Sequence, residues 1–117
     1  MLAQNIHVEQ IGNVAIATVI TPLLSAAEGT EVISELTERM RYNNARHFIL
    51  DFKEVEFMDS SFIGSLVSLL QDVSHMRGRI LLCNCQENVA FLFKVTRLDS
   101  VFPMFESLDD AKEELNA

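Results

Sequence analysis

The apolar residues near the start of the chain form two short runs, and together they predict a β-hairpin. Ile6 to Ile11 and Val14 to Ile20 are rich in β-branched residues, and the turn dipeptide Gly12-Asn13 separates them. Pro22 lacks the N–H group that a strand needs for pairing, so the second strand should end before it. An antiparallel pair of strands is therefore expected in this region.

In two longer segments the apolar residues recur three and four positions apart, which predicts two amphipathic helices. The first follows the capping-box pattern Ser25-Ala26-Ala27-Glu28 and should end near Tyr42-Asn43-Asn44. The second should run from Ser61 to Met76, and Gly78 is placed to stop it. Each of these helices should bury one face.

The other segments predict three more strands and two shorter helices. The strands are His47 to Leu50, Arg79 to Asn84 and Val101 to Phe105, and the helices are Glu87 to Thr96 and a C-terminal helix. The C-terminal helix should begin with the second capping-box-like pattern, Ser107-Leu108-Asp109-Asp110. Pro103 marks the last strand as an edge strand. The alternation of strands and helices predicts an α/β fold with one domain over residues 1–117, in which a small mixed β-sheet is covered by about four α-helices.

Composition narrows the possible functions. The chain has 117 residues, of which 49% are hydrophobic, so a single core is feasible, and its formal net charge is -8. An acidic surface repels phosphate groups, so nucleic acid is not expected as a partner. No apolar run reaches the roughly 20 residues that span a bilayer, so membrane insertion is not expected. The run MLAQNIHVEQ does not resemble a signal peptide, and we expect a cytoplasmic location.

Few residue patterns indicate an enzyme. The four glycines form no phosphate-binding loop, the three histidines are far apart, and Cys83 and Cys85 do not have the spacing of a zinc or redox motif. No catalytic residue, cofactor or metal is therefore predicted. An enzyme or a small-ligand binder that uses these cysteines or the carboxylates is kept as a hypothesis of a different class.

An acidic, hydroxylated corner, Asp59-Ser60-Ser61, stands between an apolar run and the second long helix. Asp59 or Ser60 can cap this helix by accepting a hydrogen bond from its first turn. A helix N-terminus also tolerates a phosphate, which would add a charge of about -1.5 to -2 beside Asp59. The corner is thus either a cap alone or a cap that doubles as a regulatory site.

The run FILDFKEVEFMDSSFIGSLVSLL resembles the signature segment of STAS domains, specifically of anti-sigma factor antagonists. The resemblance implies a protein that binds an anti-sigma factor, usually a serine kinase, and so releases a sigma factor. The kinase would phosphorylate Ser60, or alternatively Ser61, to break the complex, and a serine phosphatase would restore it. The residues expected to contact the partner are Asp59, Ser60, Ser61, Phe62, Gly64, Leu23 and Leu24.

One residue and one loop depart from the family pattern. Phe62 stands where the family usually has glycine, and its ring is expected to obstruct a kinase or to contact a different partner. Thr21-Pro22-Leu23-Leu24 replaces a loop that usually carries a glycine and then an acidic residue. These departures leave a second hypothesis open, in which a STAS domain acts as a docking subunit of a transport or stress-signalling assembly without being phosphorylated.

Overall fold

A computed structural model describes residues 5–117 of the chain. The predicted domain of residues 1–117 also contains residues 1–4, which lie outside the described residues. Among the helices of residues 5–117, none is long and apolar enough to cross a membrane.

The described residues form seven strands and four α-helices. The strands are β1 (Ile6–Ile11), β2 (Val14–Val19), β3 (Leu23–Leu24), β4 (His47–Asp51), β5 (Phe57–Met58), β6 (Ile80–Cys83) and β7 (Met104–Phe105). The helices are α1 (Ala26–Tyr42), α2 (Ser60–His75), α3 (Glu87–Val95) and α4 (Leu108–Glu114). The predicted hairpin, both long helices and the C-terminal helix are present, with ends within two residues of those expected.

Five of the strands form one mixed sheet in the order β1-β2-β4-β6-β7. The β1–β2 pair is antiparallel, and the other three pairs are parallel. The expected α/β fold with a small mixed sheet and four helices is therefore confirmed. The carboxyl ends of the parallel strands lie at the same edge of this sheet, and the loop after β4 leads from that edge to the serine corner.

The sheet is covered on both faces, which explains why β4 is an unbroken apolar run. Phe48 and Leu50 point into the larger core cluster, which contains the buried residues of α1, α2 and α3. Ile49 points the other way and packs in a smaller cluster with Ala111 of α4. Because adjacent residues of a strand face opposite sides, both sets must be apolar here.

The helix α2 ends differently from the prediction. Its last residue is His75. The residue that adopts the left-handed conformation after the helix is Arg77, with φ of 60°, and not the predicted Gly78, which has no positive φ. Gly78 is required for a different reason, because a Cβ atom there would lie 1.9 Å from the carbonyl oxygen of Arg46. The glycine allows α2 to connect to β6 while passing close to the backbone that enters β4.

The two predicted capping boxes also differ from each other. At α4, the Ser107 hydroxyl accepts a hydrogen bond from the Asp110 backbone N–H at 3.1 Å, as expected. At α1, the Ser25 hydroxyl instead donates to the carboxylate of Glu28, and it makes no hydrogen bond to the helix backbone. The start of α1 is thus held through its first-turn glutamate rather than by a complete capping box.

The segment predicted as the edge strand Val101 to Phe105 is extended only at its end. Leu98–Ser100 form a 3₁₀ turn, and pairing with β6 is limited to Met104–Phe105. Phe102 is fully buried and makes an edge-to-face contact with Phe93 of α3, with ring centroids 5.7 Å apart. Burial of this ring bends the chain before Pro103, so the strand is shorter than its apolar pattern indicates.

Candidate functional site

The serine corner is formed where β5 ends and α2 begins. Asp59 is the N-cap residue, and its carboxylate accepts a hydrogen bond from the Ser61 backbone N–H at 2.8 Å. This hydrogen bond lowers the pKa of Asp59, and the Ser61 hydroxyl lowers it further. The carboxylate therefore stays ionised and satisfies one of the unpaired N–H groups of the helix.

Ser60 is the first residue of α2 and is exposed. Its hydroxyl makes no hydrogen bond within residues 5–117, whereas Asp59 and Ser61 both belong to the cap. The two serines thus differ chemically, because Ser60 presents a free hydroxyl and Ser61 interacts with the capping carboxylate. A group attached to Ser60 would meet the electropositive end of α2.

A second, very small sheet fixes the position of the corner, and the sequence analysis did not predict it. Strands β3 and β5 pair in parallel, with Leu23 opposite Phe57 and Leu24 opposite Met58. The Asp59 N–H donates to the Leu24 carbonyl at 2.9 Å, which connects the cap directly to β3. The loop before α1 and the loop before α2 therefore form one surface.

A buried carboxylate supports the loop that leads to this surface. Asp51, at the end of β4, is only 4% exposed. One of its oxygens accepts hydrogen bonds from the Lys53 backbone N–H at 3.1 Å and from the Asn84 side-chain amide at 3.2 Å. These bonds compensate for its desolvation and fix the chain as it leaves the sheet.

The structure places the predicted contact residues in two groups. Asp59, Ser60, Ser61, Gly64 and Leu23 are exposed. Leu24 and Phe62 are 0% and 2% exposed, so neither side chain is available to a partner in this structure. The expectations that the Leu24 and Phe62 side chains contact a partner, and that the Phe62 ring obstructs a kinase, are thereby corrected.

The ring of Phe62 packs between α1 and the end of the main sheet. A Cβ atom on Gly29 of α1 would lie 3.0 Å from Cδ1 of Phe62, so only glycine leaves full room for the ring. On its other side, Phe62 makes an edge-to-face contact with Phe52, with ring centroids 6.4 Å apart. The departure from the family pattern at residue 62 therefore changes the core beneath the corner.

Two exposed aromatic residues, one on β5 and one on α3, were not singled out as candidate contact residues by the sequence analysis. Phe57 is 63% exposed on β5, and Phe91 is 65% exposed on α3. The exposure of Phe91 could have been predicted from the sequence, because Phe91 lies outside the helical face that contains the buried residues Val89 and Phe93. The exposure of Phe57 could not have been predicted in this way, because β5 is too short to show which of its residues face outwards.

The cysteines have the properties of structural thiols. Burial raises the pKa of Cys83 to about 12 and that of Cys85 to about 11, and the nearby Asp51 carboxylate adds to both increases. A thiol with such a pKa is a poor nucleophile at neutral pH. Within residues 5–117 there is also no group of three or more acidic, histidine or cysteine side chains that could hold a metal ion. The geometry therefore gives no support to the enzyme hypothesis.

Comparison with known families agrees with the fold. The STAS domain family matches residues 5–111, and the chain belongs to that family. The relatives within it are named for a particular class of regulator. The chain is 24% identical over 81 residues to the anti-sigma F factor antagonist of Paenibacillus polymyxa, a match that covers 69% of each protein.

A second relative is a Thermotoga neapolitana protein named as a homologue of TM1081, with 30% identity over 67 residues. That match covers 57% of this chain and 59% of the relative, so it spans less than two thirds of the relative's length.

Solved structures resemble nearly the whole chain. An anti-sigma-factor antagonist domain protein from Planctomyces limnophilus has a TM-score of 0.79 and 25% identity, with 91% of this chain and 92% of that chain covered. The Bacillus protein SpoIIAA in its phosphorylated form has a TM-score of 0.75 at 15% identity, with 94% and 98% covered. The murine anion transporter Slc26a9 has a TM-score of 0.70 at 22% identity, but only 18% of that chain is covered. The fold thus occurs in regulators and within a transporter.

Proposed function

We propose that this protein is an anti-sigma factor antagonist: a regulatory binding protein that binds an anti-sigma factor through the serine corner and is released when Ser60 is phosphorylated. The observation that carries the proposal is the division of roles at the start of α2. Asp59 and Ser61 make the cap, while the exposed Ser60 hydroxyl takes no part in it. The names of the relatives supply the class of partner.

Phosphorylation at this position is expected to change binding without unfolding the domain. The cap does not depend on the Ser60 hydroxyl, so α2 should remain formed when that oxygen carries a phosphate. The phosphate would add about two negative charges beside Asp59 and near the exposed Glu56. A partner docked over the corner would have to accommodate this bulky anion, and the complex should dissociate. A serine phosphatase would restore binding.

The second hypothesis, a docking subunit of a transport or stress-signalling assembly that is not phosphorylated, loses one of the two departures that left it open. The Phe62 ring was expected at the surface, and it is buried. The likeness to the transporter, at 22% identity, concerns the fold alone. This hypothesis is retained only as an alternative outcome of the test below.

The test compares wild-type protein with Ser60→Asp and with Ser68→Asp as baits in an extract of the source cells. Ser68 is also exposed on α2, about 12 Å further along the helix, so it controls for added charge. We expect wild type and Ser68→Asp to retain an anti-sigma factor, identified by mass spectrometry, and Ser60→Asp to lose it. Thermal unfolding should give similar midpoints for all three proteins.

A kinase assay with the retained protein and ATP distinguishes the two serines. Phosphate should be incorporated into wild type and Ser61→Ala but not into Ser60→Ala. If wild type and Ser60→Asp retain the same partner equally, the regulatory role of Ser60 is refuted. A transporter or scaffold component retained by both would support the second hypothesis instead.

A further inference from the structure

The two exposed phenylalanines of the chain line the same cavity. Of the eight phenylalanines, six are buried or half-buried, and only Phe57 and Phe91 are exposed. They border a cavity of about 160 Å³ between β5 and α3, together with Met58, Val89 and Leu92. An aromatic side chain that remains largely in water while facing such a cavity is typical of a binding surface.

The apolar surface extends beyond the cavity on both sides. Leu23 lies opposite Phe57 in the small parallel sheet and is 54% exposed. Val95 lies one helical turn after Phe91 on α3 and is 62% exposed. We call Leu23, Phe57, Phe91 and Val95 the β5–α3 surface.

This surface is continuous with the serine corner. Phe57 precedes Ser60 by three residues, and the hydrogen bond from the Asp59 N–H to the Leu24 carbonyl holds β3 against the cap. The α3 side is fixed to β5 by a hydrogen bond from the Asn88 side-chain amide to the Glu56 carbonyl. A partner that covers Ser60 would therefore reach the exposed rings with no intervening element.

The charges around the β5–α3 surface are mainly negative. Exposed carboxylates lie at its edge at Glu56, Asp59 and Glu87, and Lys94 is the cation that lines the depression beside Phe91. Neither Glu56 nor Glu87 has an ion-pair partner within residues 5–117. Complementarity then requires a partner that presents basic groups around an apolar centre.

We propose that the β5–α3 surface is the apolar half of the contact with the anti-sigma factor, and that it receives an apolar side chain flanked by basic residues. The inference rests on the proposed function, because it extends the same contact from the serine corner to α3. Partly buried aromatic anchors supply much of the affinity of such contacts, while the charged rim selects the partner. Ser60 would then control a contact whose strength comes largely from Phe57 and Phe91.

The test measures the dissociation constant of the complex with the purified anti-sigma factor that wild-type protein retains. We expect Phe91→Ser and Phe57→Ser each to weaken binding by roughly tenfold or more. Tyr42→Ser is the matched control, since Tyr42 is also an exposed aromatic residue, with 76% of its surface accessible. It lies at the C-terminal end of α1, about 20 Å from the first turn of that helix, which follows Leu23 in the chain. This control should bind within about twofold of wild type.

Circular dichroism and thermal unfolding verify that each variant is folded. Should Phe57→Ser lose its β3–β5 pairing, Phe91→Ser decides the question, because its side chain projects from the outer face of α3. Wild-type affinity in Phe91→Ser, together with lost binding in Ser60→Asp, would overturn this inference and leave the proposed function intact. A wild-type protein that binds no anti-sigma factor would overturn both.

Discussion

At the scale of single residues, Phe62 shows most clearly how a local pattern can mislead. Its position in the first turn of α2 indicates a surface residue near Ser60, yet the ring is almost fully buried. Gly29 makes this possible, because it removes the side chain that would otherwise occupy the space of the ring. The pair Gly29 and Phe62 therefore joins the first turns of α1 and α2.

The role of this pair can be tested by the free energy of unfolding. Phe62→Ala leaves a cavity between α1 and the sheet and should destabilise the domain by about 3–5 kcal/mol. The same substitution at the exposed Phe91 should change the stability by no more than about 0.5 kcal/mol. Urea denaturation of both variants measures the difference.

A double-mutant cycle then tests the contact itself. Gly29→Ala brings a methyl group against the ring, so its effect on the free energy of unfolding should be less favourable in wild type than in the Phe62→Ala variant, where that space is open. Equal effects in the two backgrounds would mean that the ring does not limit the space at residue 29.

At the scale of elements, the start of β4 contains a histidine that links two strands. The Nδ1 atom of His47 accepts a hydrogen bond from the Arg79 backbone N–H at 3.1 Å, which requires an unprotonated nitrogen. Desolvation lowers the pKa of His47 below 6.5, and the positive charges of Arg46 and Arg79 lower it further. The neutral form of the ring therefore holds the entry of β4 against β6.

This link predicts a specific dependence of stability on pH. Because the folded-state pKa lies below the unfolded value, His47 stabilises the fold fully above about pH 6.5, and this contribution is lost as the pH falls through the folded-state pKa. The free energy of unfolding should thus decrease between pH 7.5 and pH 5. In His47→Gln, which keeps an acceptor but does not titrate, the decrease should be smaller.

The exposed His75 provides the control for this measurement, since it lies at the end of α2 and its side chain has no hydrogen-bond partner within residues 5–117. His75→Gln should retain the wild-type slope. A slope that His47→Gln leaves unchanged would show that the pH dependence has another source.

At the scale of the whole molecule, the sheet is enclosed on both sides, so its central strands should open only when the domain unfolds. Cys83 lies at the end of β6, is fully buried, and has a pKa raised to about 12. Its thiol thus reports on global opening rather than on local fluctuation.

Thiol labelling at pH 8 in a Cys85→Ala variant tests this expectation. Cys83 should react slowly in the absence of urea, and its rate should approach the global unfolding rate when the reagent is in excess. In 6 M guanidinium chloride, on the order of the concentrations that unfold small domains, it should react at once. Rapid labelling of the native protein would contradict the buried position and would reopen the hypothesis of a reactive cysteine.

The order of the helices and of the strands of the main sheet and the place of the serine corner were readable from the sequence, because the signals that define them are local. The three-to-four-residue period of α1 and α2 and the apolar run of β4 depend only on neighbouring residues. The motif around Asp59-Ser60-Ser61 is likewise continuous in the chain. These local signals sufficed for the fold class and the family.

Tertiary structure alone decided which of the motif's residues are accessible. Leu24 pairs with β5, a strand that is too short to carry a periodic signal. Phe62 packs against Gly29 and Phe52, which are distant from it in sequence. The role of Gly78 likewise depends on the approach of Arg46, which precedes it by 32 residues. The pairing of Phe57 with Phe91 across one cavity requires β5 and α3 to meet, and no local pattern specifies that contact.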